Sequence, residues 1–137
     1  MSGRERIFPA ALKMFLEEPL IGWGPTHHIY ELGSRTGRPF RDTHNLYLWI
    51  LTETGLVGGI PFFVGLWYCL RGAWKARSGV HGALPLALLL SLLIMNLSLT
   101  WHNMKLFWIV LAYTLVSGDV SAIHIPKPRK TASLLRR

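Results

Sequence analysis

The sequence predicts an all-α integral membrane fold: an amphipathic helix and a loop followed by about three transmembrane helices. Three observations carry this expectation. Half of the 137 residues are hydrophobic and the mean hydropathy is +0.30, more than a small water-soluble domain needs for one core. The apolar residues gather into three long internal segments, near the length that crosses a bilayer as a helix. Fifteen Lys and Arg stand against seven Asp and Glu, a formal charge of +8, and many of the basic residues flank those segments, as they do at membrane surfaces. The composition disfavours a disordered chain. The single Cys69 permits no internal disulfide, and no Cys/His group has zinc spacing. A pI near 10.3 raises nucleic acid as a partner, but the basic residues do not form one stripe, so no nucleic acid is expected.

Residues 1–45 come first. Met1 to Leu16 is crossed by Arg4, Glu5, Arg6 and Lys13 and lacks the apolar core of a secretory signal, so insertion must rely on internal segments. Ile7, Ala10, Ala11, Met14 and Phe15 recur at helical spacing, and Ser2 followed by Glu5 reads as a capping box. Pro9 is tolerable only near the first turn, so an amphipathic helix is expected from about Arg6 to just before Pro19. From Pro19 to Thr43 the glycines and prolines predict an irregular loop. The glycines of Gly22-Trp23-Gly24 suit a tight turn or a close backbone approach. They make no phosphate loop, because the Lys and Ser/Thr of that motif are missing.

Residues 46–120 are expected to form the membrane domain, with spans near 46–70, 82–99 and 102–120, judged against the roughly 20 apolar residues that cross a bilayer. Glu53 is the one charge inside the first, and its glycines suit close packing of membrane helices. The second and third also fit a re-entrant pair, and Lys105 must snorkel or line a polar pocket. Arg71, Lys75 and Arg77 follow the first span, and residues 121–137 form a basic tail with Lys127, Arg129, Lys130, Arg136 and Arg137. The positive-inside rule puts both in the cytoplasm, although six basic residues in 1–45 weaken the contrast. Most tryptophans lie near the expected span ends, as in an aromatic belt.

His44 is the first candidate for chemistry, at the border between polar loop and first span, with Asp42 before it and Asn45 after. An imidazole can take a proton from a hydroxyl, and it can equally be a histidine that hydrogen-bonds an interfacial loop. Glu53 lies about 13 Å beyond His44 along a continuous helix, too far for a dyad. It belongs either to a substrate pathway or to a structural pair with Arg4 or Lys105. Arg4, Arg35, Arg38 and Arg41 could clamp a phosphate or simply touch anionic head groups. His27, His28 and His102 are too scattered, and too poor in nearby carboxylates, to suggest a metal.

In order, the chain carries Gly3-Arg4, Ala11-Leu12-Lys13-Met14-Phe15, Pro19-Leu20-Ile21-Gly22-Trp23-Gly24, His44-Asn45-Leu46-Tyr47-Leu48, Glu53-Thr54-Gly55-Leu56-Val57-Gly58 and Lys105-Leu106-Phe107-Trp108. Over residues 3 to 118 this resembles the carboxy-terminal part of the O-antigen ligase and polymerase family of bacterial membrane proteins. The resemblance implies a glycan transferase acting at the outer face of the inner membrane. It would move a glycan from an undecaprenyl diphosphate carrier to a lipid A core sugar or another glycan acceptor. It puts residues 1–45 in the periplasm and the catalytic base on His44. Of the arginines that hold the diphosphate in that family only Arg4 has a match here; Arg41, Asn45 and Glu53 are expected as further substrate contacts from the residues themselves, and neither cofactor nor metal is implied. Phe8-Pro9 and Pro25-Thr26-His27 depart from the usual pattern. Family members carry many more spans, so a fragment or one half of a split enzyme is expected, inactive without an upstream partner. The rival from another class is a small noncatalytic membrane protein that binds anionic lipid or a partner subunit through its basic loop and tail.

Overall fold

The computed structural model describes residues 4–37 and 42–120, with the side chains of Arg4, Glu5 and Trp101 left aside. Ser2 of the expected capping box, Arg38, Arg41 and the basic tail 121–137 lie outside the described residues. Among those described, all regular structure is helical: α1 (Arg4–Glu17), α2 (His27–Thr36), α3 (Leu46–Ala76), α4 (Leu84–Met95) and α5 (Lys105–Val120), with a short 3₁₀ turn at Trp101–Asn103.

The amphipathic helix is present and begins slightly earlier than Arg6, leaving Pro9 in its second turn. Its buried stripe of Ile7, Ala11 and Met14 packs with Leu32 of α2 and Leu48 of α3. The irregular loop expected over Pro19 to Thr43 is in part a helix, α2. Two local signals favour it. Glu31 and Arg35 pair at i,i+4 with 2.7 Å between them. Gly37 takes the left-handed conformation (φ 74°) and donates its N–H to Gly33 O, closing the helix. His28, Leu32 and Gly33 form its buried side.

The apolar part of the chain is a hairpin of α3 and α4 with α5 returning alongside. Near its start α3 is tied to the end of α4: Leu46 N–H donates to Asn96 O (3.0 Å) and the Tyr47 hydroxyl to Leu93 O (2.9 Å). At its other end α3 meets α5 through glycines. A Cβ on Gly72 would lie 2.6 Å from Thr114 O, and one on Gly118 2.7 Å from the Gly72 Cα, so the backbones approach as small-residue seams allow. Phe107 and Val110 of α5 join Leu46 and Leu92 in the core between them.

The three expected spans differ in length. Helix α3 has 31 residues, mean hydropathy 1.4 over its most apolar window, and only 28 % of that window buried; it is long and apolar enough to cross a membrane. Its regular part after a break at Gly55 is about 21 residues, roughly 31 Å. Helices α4 and α5 have 12 and 16 residues, roughly 18 and 24 Å, short of a bilayer core of about 30 Å. Sequence hydropathy extended these spans to 82–99 and 102–120. In the structure Asn96 closes α4, its side-chain amide donating to Leu92 O (2.8 Å), and the Trp101–Asn103 turn precedes α5. Turn geometry thus occupies residues whose composition reads as span. The outer faces are apolar: Val57, Ile60 and Trp67 on α3, Ile94 on α4 and Ile109 on α5 are each more than half exposed.

Candidate functional site

Helix α3 is interrupted at Gly55, whose φ of 61° and ψ of −157° are not helical. Such a break leaves carbonyls on one side and N–H groups on the other without partners. Here another stretch of backbone supplies them. Trp23 and Gly24 donate N–H to Thr52 O and Glu53 O, both at 2.9 Å, while Leu56 and Val57 donate to Pro19 O (2.8 Å) and Leu20 O (3.0 Å). The segment Pro19 to Gly24 is therefore threaded into the break. Two glycines make the approach possible: a Cβ on Gly22 would lie 2.6 Å from Gly55 N, and one on Gly55 would lie 2.6 Å from Ile21 N. Gly22 is itself left-handed (φ 67°). The close approach that its sequence suggests has Gly55 as its counterpart.

One helical stretch before the break, at the mouth of α3, stands His44. It is exposed and left-handed (φ 50°), a conformation histidine tolerates better than most residues. The turn is held on both sides. Asp42 Oδ1 accepts the His44 N–H (2.9 Å), and Asp42 Oδ2 accepts the Thr100 hydroxyl. Asn45 is the N-cap: its Oδ1 accepts Leu48 N–H (3.0 Å) and its amide donates to Leu97 O (3.2 Å). Both polar ends of Asn45 are thus engaged in holding the loop that carries His44.

Glu53 Oε2 accepts the indole N–H of Trp49 at 2.5 Å. Among the described residues the ion pairs belong to Arg35 alone, with Glu17 (2.6 Å) and Glu31 (2.7 Å). Lys105 is therefore not the partner of Glu53. Arg35 also lies over the Trp23 ring, 5.2 Å from its centroid, so it clasps α1 to α2 and is not a free phosphate clamp. Its hydrogen bond holds the Glu17 carboxyl below the usual range. Arg4 stands at the first position of α1.

A buried polar cluster that the sequence does not reveal lies near this mouth. The Trp49 ring meets two histidines, its centroid 4.2 Å from that of His28, edge-on, and 5.2 Å from that of His102. His28 is 1 % exposed and its Nδ1 lies 3.2 Å from Gly24 O, a contact that favours the tautomer with hydrogen on Nδ1. His28 Nε2 and His102 Nδ1 are buried without a hydrogen-bond partner among the described residues. Those residues hold no group of three His, Cys, Asp or Glu that could bind a metal. His28 was findable in part, since it stands one turn before Leu32 on the apolar side of α2; the nearness of His102 carries no local signal.

Burial pushes the His28 imidazole below its ordinary value, against the Gly24 carbonyl and the Glu53 and Asp42 carboxylates, which favour the charged form. The unfolded chain takes up a proton near pH 6.5 that folded His28 resists. Unfolding then binds protons, so stability should fall as pH drops below about 6.5 and level off once the folded imidazole also titrates. Melting followed by circular dichroism between pH 8 and 5 should show this decline, and His28→Phe should flatten it. An unchanged slope in that variant would assign the pH dependence elsewhere.

These features define a class: an apolar-faced helical protein whose loop histidine is fixed at the mouth of a broken helix. Residues 1–63 match the model of the O-antigen ligase family (Wzy_C). The matched stretch takes in α1, α2, the His44 turn and the break in α3; the expected likeness onward to residue 118 lies beyond it. Comparison with curated proteins and with solved structures returned no match.

Proposed function

We propose that this chain carries the acceptor-activating part of a glycan transferase of the O-antigen ligase type, resident in the bacterial inner membrane with residues 1–45 on the periplasmic side. The observation that carries this reading is His44. It is an exposed imidazole in a left-handed turn, gripped by Asp42 and by the Asn45 cap, inside the stretch that matches the family. Exposed left-handed residues held this firmly are common where a side chain must be presented.

In this reading the His44 imidazole takes the proton of an acceptor hydroxyl on a lipid A core sugar or other glycan as that oxygen attacks the anomeric carbon. The bond to undecaprenyl diphosphate breaks, and the departing diphosphate keeps the electron pair. Arg4 and Arg41 would neutralise its charge, which requires cations where negative charge develops. Asn45 serves by fixing the turn. Glu53, hydrogen-bonded to Trp49 below the turn, lines the approach. Helix α3 spans the membrane, α4 and α5 pack beside it with their apolar faces toward lipid, and the basic connection after α3 and the tail lie in the cytoplasm.

Loss of the gene should make glycan-loaded undecaprenyl diphosphate accumulate in membranes, and its return should clear it. Chromatography of extracted carrier lipid reads this directly. A carrier pool that does not change in either strain would overturn the reading and favour the noncatalytic rival.

A further inference from the structure

A groove of about 430 Å³ runs along the outside of the α3–α4 hairpin, lined by Trp67, Leu70, Arg71, Trp74, Leu86 and Leu90. The α3 residues fall at i, i+3, i+4 and i+7 and so share one face, and Leu86 and Leu90 stand one turn apart on α4. Its Leu70 and Leu86 pack against the buried cluster of Cys69, Ala73 and Leu89. The groove is apolar toward Trp67 and Leu90 and basic toward the chain reversal that follows α3.

Three cations gather at that basic end. Arg71 lines the groove, Lys75 is exposed one turn further on, and the Arg77 guanidinium lies 3.7 Å over the Trp74 ring. None of them is in an ion pair among the described residues. Asp119 follows Gly118, which meets Gly72, and pairs with none of the three among the described residues. An apolar slot that ends in unneutralised guanidinium groups is complementary to a chain with a phosphate at its head. A second cleft of about 570 Å³ between α3 and α5, lined by Phe62, Leu66, Trp108 and Leu115 among others, has no charged lining residue, and nothing there selects an occupant.

We propose that the groove holds an acyl chain of an anionic phospholipid whose phosphate is bound by Arg71 with Lys75 and Arg77, so that the hairpin selects anionic over zwitterionic lipid. A zwitterionic head brings its own ammonium and leaves the cluster partly unneutralised. Trp67 and Trp74, about 10 Å apart along the axis, supply amphipathic rings of the kind that sit at head-group level. The proposal rests on the membrane placement of α3 given above, and on none of the transfer chemistry.

The test uses the full chain in nanodiscs of phosphatidylcholine with increasing phosphatidylglycerol, followed by native mass spectrometry of the lipid retained. One phosphatidylglycerol should survive release where phosphatidylcholine does not. Arg71→Gln and Lys75→Gln should each weaken that preference about five-fold, equivalent to about 1 kcal/mol per basic side chain near the surface. Leu90→Trp keeps every charge but fills the slot, and should weaken retention at least as much. Equal retention of both lipids, or a silent Leu90→Trp, would overturn the proposal. So would displacement by glycerol phosphate, which marks a free phosphate site, or a dimer in phosphatidylcholine that Leu90→Trp dissolves, which marks a second copy in the groove. Protein that fails to co-sediment with vesicles of any composition would instead overturn the membrane placement itself.

Discussion

Gly55→Ala should cost more than about 4 kcal/mol, a size reached only when several mechanisms act together. The first is conformational: φ 61° with ψ −157° lies in a region that is essentially confined to glycine, with a penalty of about 1–3 kcal/mol for other residues. The second is steric, because the new Cβ would lie 2.6 Å from Ile21 N, and the obstacle is backbone that no rotamer can move. Retreat of that backbone brings the third. It strips the partners from Thr52 O, Glu53 O, Leu56 N and Val57 N, and a group left unpaired away from water costs about 1–3 kcal/mol. Thermal melting in detergent, read by circular dichroism, should show the loss. Gly22→Ala should behave alike, since it meets the same contact from the other side. A Gly55→Ala protein that melts with the wild type would mean that the two segments are not threaded as described.

His44→Ala should cost no more than about 1 kcal/mol, because alanine suits the left-handed turn (φ 50°) less well than histidine, while glycan transfer falls by about 10² to 10⁴, the usual contribution of a general base. Asp42→Ala is the informative companion. It removes the acceptor of both the His44 N–H and the Thr100 hydroxyl, so the imidazole is kept but no longer held. A smaller loss than that of His44→Ala is expected, and it should fall mainly on kcat. Transfer is measured as carrier-linked glycan consumed per cell-equivalent of membrane. Unchanged transfer in a well-expressed His44→Ala strain would remove His44 from the chemistry.

Periodicity located α1 and its buried stripe, because Ile7, Ala11 and Met14 repeat within four residues of one another. It also found the apolar segments, though not their ends. Asn96 and the Trp101–Asn103 turn shorten α4 and α5, and hydropathy averages over such caps. Pro61 is the conspicuous helix breaker in the sequence, yet it lies within helix, while the actual break falls at Gly55. No local pattern distinguishes the two, since what makes Gly55 the break is the arrival of Pro19 to Gly24 from elsewhere in the chain. Helix α2 was hidden for a related reason: its flanking glycines and prolines read as loop, whereas the buried His28 and Leu32 make it a packed element. At the site, His44, Asn45 and Glu53 stand out in sequence. The contact of Trp49 with His28 and His102 does not, because it joins residues from three separated segments.

The threaded break has a mechanical consequence. A helix interrupted in open surroundings is a joint, free to flex because water can take over its loose ends. Here the loose ends are locked to Pro19, Leu20, Trp23 and Gly24, and those residues are anchored in turn through the Trp23 indole, which donates to Met14 O of α1 at 2.9 Å. Bending α3 therefore cannot proceed without dragging α1. A force applied to α1 is delivered to the stretch of α3 that begins at Leu46, just after His44, so the amphipathic helix acts as a lever whose fulcrum is a pair of glycines.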